Sequence, residues 1–441
     1  MPFRFLTAGE SHGPGLGAIL EGLPAGVPVS AEAIAEDLAR RQRGYGRGGR
    51  MRIEQDRAEI VGGVRHGTTL GSPVMLLVRN RDWANWTRVM QVGALSEAEA
   101  AGLAALAEAG DRRAIAVTRV RPGHADLAGA LKYGATDVRD ILERASARET
   151  AVRVAGGAVC RAFLGELGID VWSFTVEVGG VAMDPARATR SRVESEASPL
   201  RCPDPEGEAA MIARVDEARA HGDTVGGIFE VVARGVPVGL GSHVHWDRRL
   251  DARLAAAICS IQAVKGVEFG LGFEQTRRFG SDVHDVVTGV GVDEDLAPAP
   301  GFAGPVRRWL HATNRAGGLT GGIANGEPLV VRGAVKPIST LARPLPSADL
   351  RTGAPVSTAH YERSDISVVP AAGVIGEAMV LLVLTDAVLE KFGGDSLAEV
   401  RDNMRRYLDR TLAMTDADWS PGNPRPARIA SLGEAGSAGD D

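Results

Sequence analysis

Two histidines set among glycines, and a series of arginines, are the residues here whose types and spacing could do chemistry. His12 lies in Gly9-Glu10-Ser11-His12-Gly13, and His124 in Arg121-Pro122-Gly123-His124-Ala125-Asp126. An imidazole titrates near neutrality, so either ring could give or take a proton at physiological pH. From Arg121 to Thr150 run Arg121, Lys132, Arg139, Arg144 and Arg148, a local cationic supply suited to an anion, most simply a phosphate. Arg144 and Arg148 are four apart, as are Ser146 and Thr150, so one helical face would carry two guanidiniums with hydroxyls close by. The same arginines could instead pair with Asp126, Asp137, Asp140, Glu143 and Glu149. The local pattern leaves both readings open.

These groups need elements to position them. Pro122-Gly123 predicts a tight turn that presents His124 from a loop. From Thr136 onward, Val138, Ile141, Leu142, Ala145, Val152, Ala155 and Val159 recur at helical spacing. Phe3 to Ala8 is a strand candidate delivering the His12 loop, and Ile19 to Leu23 a second. Ser30 is placed to cap a helix with Ala33 to Ala39 on its body. Further strands are expected at 51–55, 60–64, 73–78, 171–181, 228–232, 267–270, 329–335 and 366–369, and further helices at 96–109, 209–220, 250–264 and 375–392. Glu377 and Asp386 interrupt the last helix, which therefore reads as core rather than membrane. The helix at 96–109 is Ala/Glu-rich and peripheral in character.

Arg40 to Arg50 holds five arginines among glycines that discourage regular structure. It could be a disordered nucleic-acid segment or a mobile loop folding over an anionic ligand. Its place between a helix and a strand favours the ligand loop. The net charge of −6 also argues against a global field that recruits nucleic acid, so any anion site must be local. The chain has 441 residues, 44% of them hydrophobic, and 56 glycines, so there is ample core and much backbone free to approach a ligand closely. Three cysteines without CxxC spacing suggest a reducing compartment. With no apolar leader at the N-terminus and no membrane-length run, a cytoplasmic location is expected.

His311 to Gly322 is a second glycine-rich loop that matches neither common nucleotide-binding fingerprint, though its amides could cradle a phosphate or a flavin edge. His243 and His245 lack further ligands at metal spacing and read as solvent-exposed. Trp83 and Trp86 read as packing residues. His66, His221 and His284 carry no signal of function, while His311 and His360 stay open. Glycine-rich candidate loops are scattered from residue 9 to 322, which argues for one integrated domain over 1–417. A Pro, Gly, Ser and Asp tail follows at 418–441, expected to be disordered.

GESHG at 9–13, RRQRGYGRG at 40–48, RPGHAD at 121–126, ERASARET at 143–150, GDTVGG at 222–227, IQAVKG at 261–266, TNRAGGLTGG at 313–322, KPIST at 336–340 and RSD at 363–365 occur in this order. Together they resemble the chorismate synthase family, over about residues 1 to 400. That resemblance implies an α+β fold, a single-domain β–α–β sandwich with helices between two antiparallel sheets, assembled as a homotetramer. It implies conversion of 5-enolpyruvylshikimate 3-phosphate to chorismate and phosphate, with reduced FMN and no net redox change. NADPH is a possible reductant of that flavin. Neither nucleic acid nor membrane is expected as a partner.

By the same resemblance, His124 would protonate the departing phosphate and His12 the reduced flavin near its N1–O2 edge. Asp365, relayed with Ser11, would assist proton removal at flavin N5. Arg144, Ala145, Ser146, Gln262, Ala263, Gly321, Lys336, Pro337, Ile338, Ser339, Thr340 and Arg363 match the family's FMN contacts. Arg41 and Arg47 match arginines that bind substrate or, in some members, NADPH, and Arg121 and Arg148 would be further anion ligands. Thr224 stands where many members have Ser. Arg363 is assigned by its RSD context, because the span after Lys336 is slightly longer than usual. Two other classes make distinct predictions: a nucleic-acid binder would lose affinity steeply with salt, and a flavin oxidoreductase would consume reductant stoichiometrically.

Overall fold

A computed structural model describes residues 2–48, 56–187, 191–302, 304–361 and 365–414. The strand expected at 51–55, Arg363 and the tail from 418 lie outside the described residues. β1 (Arg4–Ala8) and β2 (Gly15–Glu21) precede α1 (Ala31–Gln42). β3 (Ala58–Gly62), a small hairpin of β4 (Val64–Arg65) and β5 (Thr68–Thr69), and β6 (Val74–Arg79) follow. α2 (Glu97–Glu108), α3 (Asp126–Tyr133), α4 (Arg139–Ala145) and α5 (Thr150–Gly165) lead to β7 (Asp170–Val178) and β8 (Val181–Ala182). After α6 (Arg192–Ala197) and α7 (Pro205–Ala220) come β9 (Gly227–Arg234), α8 (Leu250–Cys259) and β10 (Val264–Phe269). The hairpins β11 (Val287–Val292) with β12 (Arg307–His311), and β13 (Leu319–Thr320) with β14 (Ile323–Ala324), precede β15 (Leu329–Val335). β16 (Ser347–Ala348) pairs with β17 (Pro355–Val356), and α9 (Val369–Phe392) and α10 (Leu397–Ala413) complete the described chain.

The chain is a mixed α+β protein with antiparallel sheets. One sheet has the order β1-β2-β6-β3 and the other β10-β15-β9-β7-β8. In the first, strict alternation sets the buried face: Leu16, Ala18 and Leu20 pair with Val78, Leu76 and Val74, and all six are buried. β7 and β9 have long buried runs, because helices cover what alternation would otherwise leave wet. α5 packs against β1, β2 and β6, α9 packs against β7, β9 and β15, and the two helices pack on each other.

Glycine makes that helix crossing close. A Cβ added at Gly157 of α5 would lie 2.5 Å from Ala378 Cβ of α9, and one at Gly376 would lie 2.6 Å from a ring carbon of Phe229. Larger side chains at either point would force the layers apart. α9 is long and apolar enough to cross a membrane by composition, yet 83% of its most apolar window is buried inside the protein.

Expectation and structure differ in several places, among them β2, which runs from Gly15 to Glu21 rather than from Ile19 to Leu23, and α10, which was not expected. Ile366 to Val368 is not a strand: Ile366 bonds to Gly46 and Val225 through its backbone, and α9 begins at Val369 with a proline in its first turn. α8 stops at Cys259 rather than 264, so Gln262 and Ala263 lie in a turn. Arg40, Arg41 and Gln42 are the last turn of α1, not part of the glycine-rich loop. The helix read onward from Thr136 is broken at Ser146, with φ −62° and ψ 138°. Ser30 caps α1 as expected, its hydroxyl accepting from Ala33 N, a contact worth about 1 kcal/mol. α2 buries none of its residues, in keeping with its peripheral reading.

Candidate functional site

β1 ends at Ala8 and hands the chain to Gly9, whose φ of 105° turns it toward α4. Ser11 N–H donates to Glu143 O at 3.0 Å. His12 N–H donates to Glu143 Oε2 at 2.7 Å, and His12 Nδ1 lies 2.8 Å from Glu143 Oε1. The imidazole stacks on Trp86 with centroids 3.9 Å apart. Trp86 is fixed by an Nε1–H bond to Asp82 at 2.8 Å, and the Arg139 guanidinium lies over its ring. Asn80 donates to Ser11 O and Gly13 O, closing the loop. Ser11 and His12 are only 3% and 7% exposed. This is a rigid mount for one ring.

The break at Ser146 decides where the arginines go. Ser146 Oγ lies 3.3 Å from Ser11 Oγ. Arg144 donates to Gly9 O, Thr7 O and Thr7 Oγ1 and keeps 42% of its side chain exposed. Arg148, buried to 8% exposure, pairs with Asp56. The expected shared face does not exist, because the helical phase is lost between the two residues. Thr150 Oγ1 accepts from Arg41 Nε, and Ala147 O from Arg41 Nη2. Arg144 and Ala145 line a cleft of about 580 Å³ with Tyr133, Gly134, Ala135, Asp140 and Ile141.

Glu149, just after the break, accepts from Thr7 Oγ1, Arg153 Nε and Gln262 Nε2. Burial would raise its carboxyl, but Arg153, Thr7 and Gln262 outweigh burial and hold it below the usual carboxylate range. Glu149 thus joins β1, which feeds the His12 loop, to the turn that follows α8. In that turn Ala263 has φ 69°, and its carbonyl accepts from Lys336 N at 2.9 Å.

Lys336 leads to the second histidine. Its Nζ donates to Gly123 O at 2.6 Å, and Ser339 Cβ lies 3.8 Å from where a Gly123 Cβ would stand. Burial, with the charge of Lys265, lowers the Lys336 ammonium from its ordinary value. Gly123 has φ 75°, as the expected turn requires. His124 Nδ1 lies 2.5 Å from Asp126 Oδ1. Arg121 brackets the same carboxylate through its backbone N, Nε and Nη2. Burial alone would raise the Asp126 carboxyl, but His124 and Arg121 hold it well below the usual range. On the far side of the 336–340 segment, Thr224 Oγ1 donates to Ile338 O at 2.8 Å.

Asp365 pairs with Arg47 Nη1 at 2.9 Å and accepts from Gly48 N–H. Ile366, beside it, receives the amide of Val225, next to Thr224. Gly321 is not brought to this group. It sits in the β13–β14 turn by Gly322, whose carbonyl accepts from Leu250 N at the start of α8, whereas Gln262 follows the end of that helix. A ten-residue helix spans about 15 Å. Two amides of the 313–322 loop, Arg315 N and Ala316 N, already donate to Asp285, so that end of the loop cradles an internal carboxylate.

Glu143, Asp126 and Trp86 are the neighbours of the two candidate histidines that sequence reasoning did not assign to them. Both acids were visible as possible arginine partners, and both are: Asp126 pairs with Arg121 and Glu143 lies 3.9 Å from Arg139. That Glu143 faces His12, 131 positions away, depends on tertiary placement, whereas Asp126 stands two residues from His124 and its proximity was a local signal passed over; Trp86 gave no signal beyond its type.

The comparisons with known proteins agree. The chorismate synthase family model matches residues 3–389. A chorismate synthase of Geobacter sulfurreducens is 55% identical over 412 residues, covering 93% of this chain and 99% of the relative. One of Salinispora tropica is 56% identical over 411 residues, covering 92% and 98%. A crystal structure of chorismate synthase aligns with TM-score 0.69 at 42% identity, covering 93% of this chain and 98% of that one. With a family match across nearly its whole length and relatives more than half identical, the chain belongs to the chorismate synthase family.

Proposed function

We propose that the residues gathered on either side of the Lys336–Thr340 segment carry out the family's reaction in this chain. As a family member it is a carbon–oxygen lyase of aromatic amino acid biosynthesis, converting 5-enolpyruvylshikimate 3-phosphate to chorismate and phosphate. The observation that carries the site assignment is the seating of Lys336 on the His124 turn, Nζ to Gly123 O at 2.6 Å. It puts a cation and a proton donor side by side, as a departing phosphate requires.

His124 holds a proton for the leaving phosphate oxygen, and Lys336 stabilises the charge that develops there. Arg121, Arg41 and Arg148, each engaged with protein partners, place positive charge behind the pocket. The residues fit FMN: Arg144 and Lys336 supply charge for its phosphate, and Gln262 Oε1 is buried without a hydrogen-bond partner among the described residues. Ala145, Ser146, Ala263, Pro337, Ile338, Ser339, Thr340 and Arg363 complete the proposed contacts, and Gly321, at the other end of α8, is left out of them. Reduced flavin, when bound, supplies electron density transiently and takes it back. His12 holds a proton at the N1–O2 edge of that cofactor, and Asp365 with Ser11 receives a proton at N5. Arg47, paired with Asp365, links this relay to the substrate loop.

The packing of α5 on one sheet and α9 on the other supports the finer reading of a β–α–β sandwich in one catalytic domain over 1–417. A homotetramer in the cytoplasm, with NADPH as a possible reductant, completes the proposal. The test is anaerobic turnover with chemically reduced FMN, following chorismate and phosphate together. His12→Ala and His124→Ala should each lower kcat by about 10²- to 10⁴-fold with unchanged circular dichroism. Wild-type turnover in either variant removes that histidine from the mechanism.

A further inference from the structure

We infer that Asp126 and Glu143 are matched positioning residues: each engages Nδ1 of one histidine and so assigns Nε2 to the reacting groups. This rests on the reading of His124 and His12 as the proton-transfer pair, and it adds the groups that prepare them.

Both carboxylates are buried, with Asp126 at 0% and Glu143 at 2% exposure. Neither can swing. Asp126 is bracketed by three Arg121 donors at 2.8–3.0 Å, and Glu143 also accepts the backbone N–H of His12. An ionised carboxylate only accepts. The hydrogen shared with it therefore sits on the ring nitrogen it faces, and the other nitrogen is left to exchange protons. For Asp126 the carboxylate form is the one that Arg121 bonding favours. For Glu143, Oε2 accepts the backbone amide of His12 and Oε1 faces the ring, with Arg139 Nη1 3.9 Å away, so both oxygens are oriented as acceptors.

The ring planes are fixed as well. Trp86 stacks on His12, and the Pro122-Gly123 turn, tied down by Lys336, carries His124. The charged groups around His124 are Asp126, Arg121 and Lys336; Arg121 Nη2, a donor, lies 3.2 Å from the same Nδ1, but the Asp126 oxygen at 2.5 Å is the nearer partner and Arg121 Nη2 is already engaged by Asp126 Oδ1 at 2.9 Å. Those around the His12 mount are Glu143, Arg139 and Asp82. The two stations thus share one design, a buried acid behind Nδ1, although they hang on different elements. Neither acid touches substrate in this account. Each acts through its histidine.

Double-mutant cycles test this. Asp126→Asn should lower kcat by about 10²- to 10⁴-fold with KM changed less. In a His124→Ala background the same substitution should cost under about threefold, because the group it serves is gone. Glu143→Gln and His12→Ala should behave alike. In Asp126→Asn the limb of the pH profile that needs protonated His124 should move to lower pH, since an amide favours the charged ring less than a carboxylate does. A full-sized loss in the histidine-less background, or an unmoved limb, overturns the inference in favour of a merely structural role. Histidine 15N spectra of the wild-type protein, assigned with the two alanine variants, give a readout independent of turnover and of how the acid variants fold. They should show hydrogen on Nδ1 and none on Nε2 for the neutral forms of both rings, and the opposite tautomer overturns the inference. Wild-type protein that makes no chorismate would sink the parent reading, while the spectra would still decide the tautomers.

Discussion

Glu377→Gln should be among the most damaging single changes in the protein, although Glu377 touches no proposed ligand. The carboxylate is wholly buried on α9. It accepts from Arg40 Nη2 at 2.8 Å, Arg161 Nη2 at 2.6 Å, Arg201 Nη2 at 3.1 Å and Ser173 Oγ at 2.6 Å. With Asp37 and Glu196 the cluster holds three acids against three arginines, so the variant leaves one positive charge uncompensated. Burial would raise the carboxyl, but the arginines bring it from 4.5 to about 2, which corresponds to about 3 kcal/mol. Breaking a buried ion network from one side costs about 3–5 kcal/mol on general grounds, so the two routes agree. Urea denaturation should show that loss with an unchanged slope. Because the carboxyl is depressed on folding, its contribution is complete above pH 4.5 and fades as pH falls toward about 2. Wild-type stability should therefore drop across that window more steeply than that of the variant. A loss under about 1 kcal/mol, or identical acid slopes, would refute the reasoning.

Lys336→Met should weaken FMN binding by about 10- to 100-fold in a fluorescence titration, the usual worth of one hydrogen bond to a charged group; unchanged affinity would detach Lys336 from the anion site. Alkylation of the native protein at pH 8, read by mass spectrometry, should label the exposed Cys259 first. Burial pushes the Cys160 thiol up to about 12 and the Cys202 thiol up to about 11. Early labelling of Cys160 would mean that the α5–α9 layer opens readily.

Local signals made much of the frame legible. The Ser30 cap, the apolar pattern of β6 and the apolar run of β15 each reflect interactions within a few residues or one sheet face, whereas β2 was read only from Ile19 although it begins at Gly15. The proline at the start of α9 was an equally local signal, but Ile366 to Val369 read as a strand from its apolar character. That run forms no strand: Ile366 is held by Gly46 and Val225 one bond at a time, and Val368 already turns into α9 with ψ 5°. The histidines and Lys336 were legible through their motifs. Partner choice was less so: Asp126 meets Arg121 and His124 within its own turn, but Glu143 is turned to His12 by the packing of α4 against the His12 loop, which no local pattern reveals.

The interruption at Ser146 also works as a sorting device. A straight helix through this stretch would commit neighbouring guanidiniums to a common environment, so that tuning one for ligand would disturb the other. Because the chain turns out of helical phase at one hydroxyl-bearing residue, Arg144 ends at the rim of a cleft and Arg148 ends inside, against Asp56. Cations four positions apart can therefore be altered separately, one at the expense of recognition and the other at the expense of cohesion.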